Sequence, residues 1–476
     1  MNPSTALRHI GVFLTVALLP ALGQQAPPSA SRAWLVPQDA SFQQQLAQLP
    51  ETSRPNLDSK HAYTLPELVE VAELNNPETR IVWEQARARA AAAGIARSAL
   101  FPTVAVLASA SLSQYSLFVT RFYHEDLATF PTSLSLSYTI LDFGARAARL
   151  DQTKADLLAA DFAFNDTHRR VIFQVTEAYY QLLYAISQEA AARATLTDAQ
   201  TVQQAVEARL ANGLATLPDV LEARAATAQA RYELASTRGL EDIAHGALAT
   251  VLNVAPGTAF QVEDVSKTPL PEAVNEAVEA VIERALRQRP DLLAQLAQVR
   301  SAGAEIRNAR SAYYPRLSFT ADWGHRNSYG SQNFNPTISS HIYPYSAQLN
   351  LNWAIFDAGA RRNELARAEA QYRQAQAQAA LSRDEIENEI WTSYSNLTTA
   401  QKQQEAADAL LEAAEQSYSA ATQSFQAGVR TFIDVTTAQR DLARARTAQA
   451  TARVQVLLSL ADLAFRAADP IRAAQH

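Results

Sequence analysis

Few residues of this sequence have the types and spacing that catalysis or metal binding requires. His124, Glu125 and Asp126 are three consecutive potential metal ligands. They fall between two stretches with strand-like alternation, so a solvated loop is the simpler interpretation. The sequence has no glycine-rich phosphate loop, no histidine pair at metal-ligand spacing and no nucleophile elbow. We therefore expect no enzyme, no metal and no cofactor.

In two matching segments, "ANGLATLPDV" and "QAGVRTFIDV", an aspartate follows a glycine at the same spacing. In each segment the glycine, Gly213 or Gly428, can end one helix. The aspartate that follows, Asp219 or Asp434, can stabilise the N-terminus of the next helix. Arg430 lies between the second glycine and the second aspartate, where a solvated surface charge is one interpretation. The pattern predicts a turn between two helices, present twice.

Another repeated segment joins a strand-like stretch to a helix-like one. "ILDFGARAARL" in the first half returns as "IFDAGARRNEL" in the second. We expect Asp142 and Asp357 to cap the helix start, and Gly144 and Gly359 to ease the turn from strand to helix. These residues are therefore predicted to be structural junctions and not catalytic groups.

The repeated segments have the same order in both halves, which predicts an internal tandem duplication. "ARSALFP" of the first half, for example, returns as "ARSAYYP" in the second. The predicted regions are a signal peptide at 1–23, an extended N-terminal arm at 24–60, a first repeat at 61–254, an inter-repeat linker at 255–273, a second repeat at 274–468 and a C-terminal tail at 469–476.

Composition and the N-terminus indicate an exported protein. The 476 residues include 41 basic and 48 acidic side chains without a basic stripe, so we expect no nucleic-acid partner. Arg8 and His9 precede the apolar run 10–22, as in a secretory signal peptide; a membrane anchor is the alternative, although the run is short for a bilayer. Without cysteine, no N-terminal lipid anchor is expected. We predict a bacterial cell-envelope protein.

Two segments alternate apolar and polar residues with the period of a strand. They are predicted strand hairpins at 102–142 and 315–357, with strands of about ten residues, the length of a tilted membrane strand. Aromatic residues lie near the strand ends, where the girdle of a membrane barrel would be. A soluble sandwich would show the same alternation and is the alternative.

Long helices follow each hairpin of strands. The predicted helical hairpins span 145–252 and 360–466, and their first helices lack proline over 145–211 and 360–427. At 1.5 Å per residue each of these helices would be about 100 Å long. Apolar residues at spacings of three and four, with abundant alanine, predict coiled-coil packing.

The predicted fold is a mixed α+β membrane protein, made mainly of long α-helices. Four strands in one chain leave unpaired edges that lipid does not tolerate, and they cannot close a useful barrel. Three chains would supply about twelve strands around a lumen. We therefore expect a homotrimer whose twelve-stranded β-barrel continues into a coiled-coil α-helical barrel.

In order and content, this duplicated arrangement resembles the TolC-like outer-membrane efflux proteins, also called outer membrane factors. The likeness covers nearly the whole chain after the signal peptide and rests on the "DFGAR"/"DAGAR" junctions and the "NGLATLPDV"/"AGVRTFIDV" turns. It implies a trimeric duct in outer-membrane lipid that extends into the periplasm. It also implies two partners, a periplasmic adaptor (membrane fusion protein) and an inner-membrane transporter.

The resemblance also assigns a periplasmic gate and lumen ring to five residues. It implies that Arg430 pairs with Asp219 and that Asp434 forms an acidic ring. Phe425 stands where the family has a tyrosine, and Thr437 where it has a second acidic residue, so closure is expected to be weaker or differently built. Gly213 and Gly428 are expected in the grooves that bind the adaptor.

Two other functions remain open at this stage. The implied activity is passive efflux of small molecules, and a type I secretion duct for polypeptides would use the same architecture. A soluble periplasmic adaptor or coiled-coil scaffold would share the helical hairpins but not the amphipathic strands. The sequence does not identify the exported substrate, since a passive pore makes few specific contacts.

Overall fold

A computed structural model describes residues 44, 55, 57–118, 122–263, 277–332 and 338–468. All but residue 44 belong to one compact unit, Arg54–His476. The predicted signal peptide and C-terminal tail lie outside the described residues, as do most of the N-terminal arm and the linker from residue 264.

Two pairs of long helices dominate the described residues. The helices are α1 (Leu65–Asn75), α2 (Pro77–Ser98), α3 (Ala145–Ala211), α4 (Leu217–Val251), α5 (Val278–Gln288), α6 (Pro290–Ser311), α7 (Ala360–Gln426) and α8 (Phe432–Arg466). Helices α3 and α7 each have 67 residues, and α4 and α8 each have 35. Each long helix packs along the shorter helix that follows it. None of the helices in the described ranges is both long and apolar enough to cross a membrane.

The strands form one large antiparallel sheet and one small parallel pair. They are β1 (Ala62–Tyr63), β2 (Thr103–Ala108), β3 (Ser111–Phe118), β4 (Phe122–Leu141), β5 (Gln261–Val262), β6 (Arg316–Gln332), β7 (Ile338–Ile342) and β8 (Tyr345–Asn352). Strands β2 and β3 both pair with β4, β4 pairs with β6, and β6 pairs with both β7 and β8. Strand β1 pairs with β5.

Two strands are much longer than the ten residues expected from the alternation. Strand β4 has 20 residues and β6 has 17. The added part of β4 includes His124, Glu125 and Asp126, so the prediction of a loop there is wrong. Backbone hydrogen bonds to β3 and β6 continue past the end of the apolar alternation and hold this part in the sheet.

The apolar stripes of the long helices form two hydrophobic clusters. In the first, Val171, Val175 and Leu182 of α3 pack with residues of α1, α4 and α8. In the second, Ile386 and Ile390 of α7 pack with residues of α5, α6 and α8. Because long helices in water need a packed apolar face, these contacts stabilise α3 and α7 along their middle parts.

Candidate functional site

The ends of the two helical hairpins, here called the tip, are the turns at residues 212–216 and 427–431 together with the adjoining turns of the helices. Gly213 has φ 71° and Gly428 has φ 77°, in the left-handed region that glycine adopts without strain. After each glycine the chain reverses, and the amides of Leu214 and Val429 donate to carbonyls of the preceding helix. Each glycine therefore ends its long helix, a geometry that the sequence pattern already indicates.

Both aspartates of the tip lie in the first turn of a return helix. Asp219 accepts hydrogen bonds from the Thr216 amide at 2.8 Å and hydroxyl at 2.6 Å. Asp434 accepts the same two bonds from Thr431, at 3.0 and 2.8 Å. Each pair is a capping box, since the threonine also caps the amide of the aspartate. The first task of both carboxylates is to fix a helix N-terminus.

The positive charge of Arg430 also acts on the Asp434 carboxylate. Hydrogen bonds from the hydroxyl and amide of Thr431 hold the pKa of the Asp434 carboxyl below its usual value, and the positive charge of Arg430 adds to this effect. Arg430 itself is exposed. The tip of one chain thus carries a carboxylate that stays ionised and a solvent-facing guanidinium close to it.

The predicted gate residues do not all meet within one chain. Arg430 makes no ion pair with Asp219 among the contacts of the described residues in a single chain. Thr437 is exposed and its hydroxyl donates to the Ile433 carbonyl at 2.8 Å. Within one chain, the described contacts therefore bring the charge of Arg430 close to Asp434 and not to Asp219.

Arg209 is a tip residue that sequence reasoning missed. Its guanidinium lies over the Phe425 ring, with 4.6 Å from Cζ to the ring centroid. It also donates to the Phe425 and Gln426 carbonyls at 3.3 and 3.4 Å. Phe425 in turn contacts Phe432, with ring centroids 5.7 Å apart. Arg209 thus ties the end of α3 to the end of α7, where the C-terminal carbonyls of the helix favour a cation.

A groove of about 820 Å³ runs between the return helices α4 and α8. Its lining includes mainly small and neutral side chains, among them Ala225, Ala226, Gln229, Gln439, Ala443 and Thr447. Glu222 on one side accepts a hydrogen bond from the buried Thr436 at 3.1 Å and lies 3.8 Å from Arg440 on the other. Alanine-lined walls of this kind permit a further helix to approach closely.

The two junctions between sheet and long helix have the same geometry. Asp142 accepts bonds from the Gly144 amide and from the amide and Nε of Arg146, and Asp357 does the same with Gly359 and Arg361. The N-cap residues themselves are the glycines, at φ 92° and 88°. The aspartates therefore cap from two residues earlier than expected.

The polar residues described here fit no catalytic or metal-binding arrangement. Among the described residues, no group of three or more His, Cys, Asp and Glu side chains could hold a metal ion. The charged groups of the tip and of the junctions are used in caps and helix contacts.

Comparisons with known proteins identify the family and the fold. The model of the outer membrane efflux protein family matches twice, over residues 68–254 and 281–467. Protein CyaE of Bordetella pertussis is 29% identical over 82% of this chain and 77% of its own. The pyoverdine export outer membrane protein OpmQ of Pseudomonas aeruginosa is 28% identical over 65% of this chain and 63% of its own. The outer-membrane channel OprN shares the fold, with a TM-score of 0.76 at 21% identity over 88% of this chain and 95% of OprN.

Proposed function

The chain belongs to the outer membrane efflux protein family, whose members are channels and not enzymes, and we propose that it forms the outer-membrane exit duct of a tripartite efflux system. In this proposal solutes pass through the duct by passive diffusion from a periplasmic adaptor and an inner-membrane transporter to the exterior. The duct itself performs no chemistry and supplies no energy.

The observation that carries this proposal is the sheet, which has one bare apolar face and unpaired edges. The side chains of Val106 and Leu351, on the two outer rows of the sheet, are 72% and 68% exposed. An apolar face of this extent needs lipid or another protein surface. Among the strands that the structure describes, the rows β2–β3 and β7–β8 are bonded on one side only. Closure with copies of the same chain would satisfy these edges, because hydrocarbon offers no hydrogen-bond partners.

A homotrimer is the assembly that this sheet favours. Each chain contributes four rows of strand, β2–β3, β4, β6 and β7–β8, so three chains would give about twelve rows around a lumen. The long helices would continue the wall as a helical barrel into the periplasm. The equal lengths of the paired helices support an internal tandem duplication, which would place two similar hairpins of each chain side by side.

The tip is proposed to engage the adaptor and to close the duct. The groove between α4 and α8 begins at Glu222 and Thr436, in the second turn of each helix, and it would accept a helical hairpin of the adaptor. Arg430, which lies free of Asp219 in one chain, would reach Asp219 or Asp434 across a chain boundary. Phe425 has no hydroxyl to form a hydrogen bond and Thr437 has no carboxylate for a second acidic ring, so few contacts would hold the gate closed.

Small molecules are the proposed cargo. OpmQ, one of the relatives found, is named for the export of pyoverdine. In this chain the inward side of the sheet would be lined by hydroxyl and amide side chains such as Ser135, Thr320 and Asn350. Side chains of this kind make few contacts specific for one solute, which suits a duct that passes small polar molecules.

One experiment tests the duct directly. The full chain is expressed with its N-terminal segment in a Gram-negative host, extracted with detergent from the outer-membrane fraction and reconstituted in planar bilayers. We expect a heat-modifiable trimer that produces long-lived ion conductance. A protein recovered as a monomer from the soluble periplasmic fraction, without conductance, would instead favour the scaffold and refute the duct.

A further inference from the structure

The large sheet has two chemically different faces over its paired region. The register places Leu134 opposite Trp323 and Leu136 opposite Ala321 on one face. It places Ser135 opposite Asp322 and Ser137 opposite Thr320 on the other. Successive side chains alternate between faces, so each residue of β6 with an even number lies on the polar face.

Three charged side chains lie on this polar face, within the strand residues whose side chains the structure describes. All three belong to β6: Arg316 at its start, Asp322 in its middle and Arg326 further along. At about 3.3 Å per residue, Arg326 is about 33 Å along the strand from Arg316. Arg326 is thus far from the helices, near the outer end of a membrane-spanning sheet.

The neighbours of Arg326 do not neutralise it. Pro131 of β4 and Ile342 of β7 are its partners across the two ladders, and neither has a side chain that can accept a hydrogen bond. Arg326 is exposed. Its charge therefore acts on the space in front of the polar face and not on a neighbouring carboxylate.

Asp322 is placed in a similar way with the opposite charge. Its partners across the ladders are Ser135 and Ser346, and Ser346 donates a hydrogen bond to its carboxylate at 3.3 Å. Between the two charges lies Gly324, where a Cβ atom would come within 2.5 Å of the Thr132 carbonyl oxygen. Position 324 therefore excludes a side chain. On the polar face of β6, no side chain lies between those of Asp322 and Arg326.

At the height of Asp322 and Gly324, the apolar face of the sheet marks the membrane boundary of the proposed duct. Trp323 and Tyr345 are opposite each other on the apolar face and are 64% and 84% exposed. Aromatic residues with a polar group are typical of the interface between lipid and water. In the proposed duct the polar face, with Asp322 and Arg326, then faces the lumen at the height of this interface.

We propose that Arg326 and Asp322 form two rings of opposite charge in the outer part of the duct, and that the Arg326 ring draws anionic solutes into the exit. This inference rests on the proposed function, because only a closed trimer turns one arginine into a ring of three around a shared lumen. Fixed charges that line a pore select ions by sign. The field reaches about 10 Å at 0.1 M salt and about 3 Å at 1 M.

The test measures reversal potentials of single channels in a KCl gradient at about 0.1 M salt. Removing the charge in Arg326→Gln should raise the permeability ratio of K⁺ to Cl⁻ about two- to fourfold. Asp322→Asn should change the ratio in the opposite direction by a similar factor. Both shifts should shrink at 1 M salt, because screening shortens the field.

Two variants serve as matched controls. Arg326→Lys keeps the charge and should keep the wild-type ratio, while Ser328→Ala alters the same face without a charge and should do the same. Each variant is first shown to be a trimer. If Arg326→Gln and Asp322→Asn conduct with the wild-type ratio, the two rings are refuted while the duct stands. If the wild-type protein itself does not conduct, the proposed function fails.

Discussion

At the residue scale, most polar groups of the tip are already used within one chain. Asp219 and Asp434 cap their own helices through Thr216 and Thr431. Arg430 is the tip residue with a charge still available, since it is exposed and near Asp434. If any residue of the tip joins neighbouring chains electrostatically, it should be Arg430.

Arg430→Ala should therefore raise the conductance of the trimer in planar bilayers, because it removes the cation that draws the tips together. Arg444→Ala is the matched control: Arg444 lies in α8, the helix that follows the turn of Arg430, its side chain is 82% exposed, and it lies 3.7 Å from Asp441. Exposed pairs of this kind contribute about 0 to 1 kcal/mol. Equal conductance of the two variants would remove Arg430 from the gate.

Arg209 should act on the stability of the tip within each chain. Arg209→Ala removes the guanidinium donor to the Phe425 and Gln426 carbonyls and the cation over the Phe425 ring, while the Phe425 carbonyl keeps its bond from the Gly428 amide. We expect a loss of about 1 to 2 kcal/mol and faster limited proteolysis near residue 427. Arg224→Ala, which breaks a surface pair with Glu207 at 2.9 Å, should have little effect. Similar proteolysis of both variants would contradict this role of Arg209.

At the element scale, each junction between strand and long helix requires two consecutive residues with positive φ. Phe143 and Gly144 have φ 50° and 92°, and Ala358 and Gly359 have φ 54° and 88°. Gly144→Ala or Gly359→Ala should cost about 1 to 2 kcal/mol through backbone strain alone, since nothing lies within 4 Å of the added carbon.

Gly239→Ala is the control for these glycine substitutions. It lies within α4 with ordinary helical geometry, and no atom lies within 4 Å of its added carbon. Alanine should stabilise the helix there by about 0.5 to 1 kcal/mol. The guanidinium chloride concentration at the midpoint of unfolding should thus fall in Gly144→Ala and rise in Gly239→Ala. A stabilising Gly144→Ala would show that the positive φ is not required.

These elements also show what the sequence can predict. Glycines that end helices, and the two helical hairpins, are local patterns, and the structure has helices within both predicted segments. The length of β4 is not local, because backbone pairing with β3 and β6 extends it through residues without apolar alternation. Arg209 was missed for the same reason: its partners are carbonyls 216 and 217 residues away.

At the scale of the whole molecule, helix α8 connects the two hydrophobic clusters. Val454 and Leu457 of α8 pack in the cluster around α3, while Val456 and Leu463 pack in the cluster around α7. A group of charged side chains lies at the same place. Arg169 of α3 donates to the Phe465 carbonyl, and its charge interacts with Arg289 and Asp291. The two halves of the chain are thus joined by apolar and ionic contacts together.

Arg289 is the central residue of this charged group. Only 10% of its side chain is exposed. It donates to Asp291 at 3.1 and 2.6 Å and to Glu389 at 2.8 Å, and Glu389 also pairs with Arg466 at 3.3 Å. Burial acts to raise the pKa of Asp291, but the bonds from Arg289 outweigh it and hold that pKa below its usual value.

Arg289→Met should therefore destabilise the protein by about 1 to 3 kcal/mol, because it leaves the partly buried Asp291 carboxylate without its cation, while Glu389 keeps its pair with Arg466. Arg287→Met, which breaks an exposed pair with Glu283, should cost less than about 1 kcal/mol. Since the folded pKa of Asp291 is depressed, its contribution to stability is present above the usual value of 3.8 and is lost as the pH falls below it. Unfolding midpoints measured at pH 7 and pH 3 should thus differ less in Arg289→Met than in the wild type. An equal acid sensitivity of the two proteins would show that Arg289 does not stabilise the Asp291 carboxylate.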